Sequence, residues 1–79
     1  GRSMLEYTVL IHPAEEGGYW ADVPALPGCF SQGDTIDETM RNIKEAIEAH
    51  ILALHEEDEK TPPEEELIIG RVRVEAAEV

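Results

Sequence analysis

Near the amino end Leu5, Tyr7, Val9 and Ile11 alternate with Glu6, Thr8, Leu10 and His12, the period-two pattern of a strand with one strongly apolar face. His12-Pro13 ends it. Tyr19 to Val23 is aromatic and β-branched enough for a second strand, with Tyr19, Ala21 and Val23 on one face and Trp20 and Asp22 on the other. The short Ala14-to-Gly18 connection joins the two as a hairpin, because Gly17 and Gly18 accept the positive φ of a tight turn. Leu26-Pro27-Gly28-Cys29 fits a type II turn, with Pro27 presetting φ at the second position and Gly28 taking positive φ at the third. Cys29 to Gln32 is then the returning strand, closed by Gly33-Asp34.

From Thr35 the period changes. Ile36, Met40, Ile43, Ile47, Ile51 and Leu54 recur at steps of three and four, which only a helix brings to one face. Asp37, Glu38, Arg41, Lys44, Glu45 and Glu48 fall mostly on the other side. Thr35 and Glu38 have capping-box spacing, and the acids Asp37 and Glu38 suit the positive end of the helix dipole. Such a helix is a rod of ~30 Å, long enough to cover one face of a small sheet. Between Glu56 and Glu66 seven of eleven residues are acidic and Pro62-Pro63 forbids helix, so this stretch reads as a solvated linker. Leu67 to Val74 reads as a last strand, with Ile68, Val72 and Val74 on one side and Arg71 and Arg73 on the other; Gly70 marks a bulge or a close backbone approach. The predicted fold is α+β with order βββαβ, a single mainly antiparallel sheet with one long helix packed on one face.

Length and charge narrow the function. Residues 1–3 read as an expression-tag scar before Met4, leaving 4–79 as a single domain. A core this small draws stability from self-association, so a dimer or higher homo-oligomer is expected. Eighteen acids against six bases give a net charge of −12, which argues against direct contact with nucleic acid and leaves two readings, solubility or a basic protein partner. No apolar run reaches the ~18 residues of a membrane span, and no signal sequence follows Met4. Cys29 is the single cysteine, so no internal disulfide forms. These features predict a cytoplasmic protein that does not engage a membrane.

Candidate catalytic groups fare poorly. A ribonuclease-H site needs carboxylates converging on metal ions, one of them usually in the first strand, and Tyr7 to His12 contains none. Asp22 reads as the polar face of a hairpin and Asp34 as a turn residue. His12, His50 and His55 invite a metal reading, but His50 and His55 lie about 140° apart around the helix axis and share no face for a metal. Cys29, between Gly28 and Phe30, reads as a small buried hydrophobe without a base. The glycines lack phosphate-loop spacing, and Arg71 and Arg73 are too few to bind nucleic acid, though they could pair with acids of a neighbouring subunit. No catalytic, cofactor or metal residue is expected. Trp20 lies opposite the core face beside Asp22, as either second-face core or an interface anchor.

The run G-G-Y-W-A-D-V-P-A-L-P-G-C from Gly17 to Cys29, then Q-G-D-T from Gln32 to Thr35 and an amphipathic helix, resembles the N-terminal domain of the HicB family, the antitoxin half of HicA–HicB toxin–antitoxin systems. The resemblance covers Tyr7 to Leu54. It implies a degraded ribonuclease-H-like sheet and an antitoxin that binds and masks a HicA-like toxin, a small basic ribonuclease acting on messenger RNA, without chemistry of its own. The residues expected at that interface are Trp20, Asp22, Glu56 and Glu57. Many HicB antitoxins continue into a helix-turn-helix or ribbon-helix-helix domain; none is present up to Val79, so a short stand-alone protein without autoregulation is expected. The alternative is a homo-oligomeric binding module with no toxin partner.

Overall fold

The computed structural model describes residues 4–77, and the three residues expected to be a tag scar lie outside them. Three strands, β1 (Leu10–Pro13), β2 (Tyr19–Asp22) and β3 (Phe30–Gly33), precede one helix, α1 (Ile36–Glu56). The sheet is antiparallel throughout, in the order β1-β2-β3.

The β1–β2 hairpin turns through Glu15, Glu16 and Gly17. The Gly17 amide donates to the Ala14 carbonyl (3.1 Å) and the Ala14 amide to the Gly18 carbonyl (3.0 Å), the three-residue loop in which a type I turn is followed by a left-handed residue. β2 and β3 are joined by two turns in tandem, each with a proline at its second position. The Leu26 amide donates to the Val23 carbonyl, the Cys29 amide to the Leu26 carbonyl, and the Val23 amide to the Cys29 carbonyl at 3.2 Å closes the pair. Gly28 takes φ +85°, as the type II turn requires. This geometry drives Leu26 wholly inside, where it packs with Ala21, Val23, Cys29 and Ile43.

Thr35 caps α1: its hydroxyl accepts from the Glu38 amide at 3.0 Å, while the Glu38 carboxylate reaches back to the Asp34 amide at 3.3 Å. The helix runs across β3 and β2. Its buried seam differs from the predicted one. Thr39 and Ile43 are fully buried and Ala46 and Ile47 pack on the core, whereas Ile36 and Met40 stand half-exposed. The reason lies at Gly33, where an added Cβ would sit 2.7 Å from the Thr39 amide nitrogen. That contact rotates the first turns toward Thr39, whose hydroxyl is satisfied by donating to the Thr35 carbonyl at 2.7 Å. The helix ends in a Schellman motif, with Glu59 N–H bonded to the Leu54 carbonyl, Asp58 N–H to the His55 carbonyl, and Asp58 at φ +60°.

Two further expectations are corrected. β1 starts at Leu10 instead of Leu5, although Tyr7, Val9 and Ile11 still face the core. The last strand is not formed: Leu67 to Val74 belongs to no strand and is exposed along its length, so the order among the described residues is βββα. Alternation supplies a strand's two faces but not a neighbour, and the ladder needs both. The acidic stretch before it is tied to α1 through Thr61, whose hydroxyl lies 2.8 Å from His55 Nε2, and to the residues before β1 through Pro62 and Glu64. The Tyr7 hydroxyl donates to the Pro62 carbonyl (2.5 Å), and the Thr8 amide and hydroxyl both donate to the Glu64 carboxylate (2.5 and 2.7 Å).

Candidate functional site

With α1 over one face of the sheet, the other face stays open. The register sets its side chains in two cross-strand rows, Leu10–Asp22–Phe30 and His12–Trp20–Gln32. Two aromatic side chains are exposed there, Trp20 at 41% and Phe30 at 65%, an unusual use of large apolar groups in a chain this acidic.

Trp20 is held. Directly across the hairpin, the His12 ring stacks on the indole with centroids 4.0 Å apart and planes at 22°. On the diagonal, the Asp22 carboxylate accepts from His12 Nε2 at 2.6 Å. Asp22 fixes the imidazole and the imidazole fixes the indole. An anchor so ordered before binding loses little side-chain freedom when a partner covers it.

Beside Trp20 the surface dips into a groove between the β1–β2 turn and the start of α1. Tyr19, Gln32 and Asn42 contribute to its wall, and Glu15, Glu16, Asp34 and Glu38 supply carboxylates. An aromatic edge with four acids suits a cationic side chain, through stacking and charge together.

Of the residues expected at an interface, Trp20 and Asp22 therefore share one constellation. Glu56 and Glu57 end α1, eighteen or more residues past Glu38 and so ~27 Å along the rod from the groove; they form a separate acidic end. His12, Phe30 and the groove acids were not among the residues the sequence placed at an interface. The signal that finds them is the hairpin register: closing the loop at Ala14 and Gly18 places His12 opposite Trp20.

Other candidates have structural duties. Cys29 is buried, and burial pushes its thiol up. Asp34 gives its amide to Glu38, and His55 Nε2 lies 2.8 Å from the Thr61 hydroxyl. Among the described residues no group of three His, Cys, Asp or Glu side chains is placed to hold a metal ion, and no helix is long and apolar enough to cross a membrane.

Comparison with known proteins then decides the family. The model for HicB-like antitoxins of bacterial toxin–antitoxin systems matches residues 7–75. The chain belongs to the HicB-like antitoxin family. A UPF0150 protein of Thermoplasma acidophilum is 53% identical over 58 residues, covering 73% of this chain and 84% of that protein. A UPF0150 protein of Synechocystis is 43% identical over 67 residues, 85% of each. The crystal structure of the Burkholderia pseudomallei antitoxin HicB superposes with a TM-score of 0.66 at 36% identity, covering 73% of this chain and 44% of that one. The chain thus spans less than half of that HicB antitoxin, and the shared part is the three antiparallel strands and long helix of a HicB-like fold.

Proposed function

We propose that this chain is a non-catalytic antitoxin domain that binds a HicA-like toxin, a small basic ribonuclease acting on messenger RNA, and masks it in the cytoplasm. The observation that carries the reading is the pre-ordered Trp20, exposed on an open sheet face and bordered by a four-carboxylate groove, in a member of an antitoxin family. Trp20 supplies the central apolar contact, with His12 and Asp22 as its positioning residues. Glu15, Glu16, Asp34 and Glu38 meet basic side chains, so charge speeds encounter and keeps RNA away from the same surface. Inhibition is steric and electrostatic. Glu56 and Glu57 lie against the negative end of the helix dipole, where acids weaken a helix, and they extend the acidic footprint toward the far end of a basic partner.

An RNA-cleavage assay tests this. Any small basic protein encoded beside this chain should cut messenger RNA alone and stop cutting when the chain is added. Trp20→Ala should restore cleavage at antitoxin concentrations where the wild-type chain suppresses it. Cleavage that continues at saturating wild-type chain sinks the reading and favours a homo-oligomeric binding module without a toxin partner.

A further inference from the structure

The two edges of the sheet are not equivalent. Bonding between Val23 and Cys29 across the β2–β3 turn makes Ala21–Ser31 and Tyr19–Gly33 the bonded pairs, because such pairs alternate in an antiparallel ladder. The Gln32 carbonyl therefore points out from the β3 edge, and there it is already taken: Asn42 Nδ2 donates to it at 2.7 Å. Helix α1 crosses the sheet on this side. On the other side, the Ala14–Gly18 bond makes His12–Trp20 and Leu10–Asp22 the bonded pairs of β1 and β2. Val9 and Ile11 then turn their N–H and C=O groups outward along an edge that α1 leaves uncovered.

Leu67 to Val74 is the complement of such an edge. It holds strand alternation and strand residues, with Ile68, Val72 and Val74 exposed by 97%, 84% and 73%. It carries Arg71 and Arg73 and no acid in a chain of net charge −12, while the β1–β2 turn at the end of the edge carries Glu15 and Glu16. The segment does not lie on its own β1. Carried back two residues, the same alternation puts the Thr8 N–H on the β2 side, and that N–H donates to Glu64; the tail leaves from the end of the sheet and not along its open edge.

We propose that Leu67–Val74 of one copy adds as a fourth strand to the β1 edge of a second copy, and that the exchange is reciprocal about a two-fold axis. Each copy then closes the other's exposed edge and covers the apolar side chains of its tail. The predicted fifth element is thus a real strand whose neighbour belongs to the partner. This inference does not rest on toxin binding at Trp20, although Glu15 and Glu16 border both surfaces.

The test is the mass of the full chain by light scattering, with backbone amide exchange read by NMR, for the wild type and for the double variant Ile68→Lys, Val72→Lys. Both substituted side chains are solvent-exposed in the single copy, so the variant keeps its helix content. The wild type should weigh at least twice 8.8 kDa, with the Ile11 amide protected on the order of 100-fold over the variant; the variant should be a monomer. A monomeric wild type overturns the proposal, whether Ile11 is protected by the chain's own tail or unprotected. An oligomer whose mass and Ile11 protection survive the double substitution overturns it equally.

Discussion

A single added methyl group separates two kinds of glycine in this fold. At Gly28 a Cβ would meet nothing within 4 Å, and only the φ of +85° opposes it; Gly28→Ala should cost about 1 kcal/mol, the left-handed penalty for an L-residue. At Gly33 the Cβ would meet the Thr39 amide nitrogen at 2.7 Å and its hydroxyl at 2.8 Å, so Gly33→Ala must displace the helix and should cost roughly 2–3 kcal/mol. Urea unfolding of the two variants measures both, and equal costs would refute the close contact. The first glycine was legible in the sequence because Leu-Pro-Gly-Cys is a local signature. The second was read only as the end of a strand, because its meaning lies in a helix residue it touches in space. Cys29 belongs with the legible residues: buried and with its thiol pushed up, it should react with a disulfide reagent at pH 8 only as fast as the protein opens, so that mild urea accelerates labelling. Rapid labelling of the folded chain would show that the site is open.

At the scale of elements, the helix and its cap were visible because period and capping chemistry agree over twenty residues. The seam it buries was not. Periodicity ranks Ile36 and Met40 with Ile43, but the Gly33–Thr39 contact turns them half outward. The far end of α1 offers a sharper test. Asp58 holds φ +60° in the position a Schellman motif gives to glycine, beside the negative end of the helix dipole. Asp58→Gly should therefore stabilise the protein by about 1 kcal/mol, seen as a higher urea midpoint at unchanged slope. A lower midpoint would mean that the Asp58 side chain holds something the backbone does not show. The Leu67–Val74 segment illustrates the converse limit of pattern reading. Its alternation was plain, yet no count along one chain reveals which edge, or whose, will pair with it.

For the molecule as a whole, the residues before β1 are tied to the acidic stretch after α1 through Tyr7 and Thr8 to Pro62 and Glu64. Burial first, and the Glu64 charge second, raise the Tyr7 phenol above its ordinary 10.0. A raised acid is held neutral by the fold, so this tie is intact below the ordinary tyrosine value and is lost as pH climbs through the higher one. Tyr7 should titrate late in an alkaline NMR titration, with the Thr8 amide signal moving in step; a Thr8 signal indifferent to Tyr7 would separate the two contacts. Family membership was legible from nineteen residues between Gly17 and Thr35, since they encode turns, strands and a cap together. The surface around Trp20 needed the register, because His12 and the groove acids reach it from other elements. The central claim is that this surface is where a basic toxin is held. Calorimetry of the chain with any small basic protein encoded beside it, at low and high salt, for the wild type and Trp20→Ala, tests it most directly. The account predicts tight binding that weakens as salt rises and falls at least tenfold, about 1.4 kcal/mol or more, on loss of the indole. Binding unchanged by both salt and Trp20→Ala would contradict it.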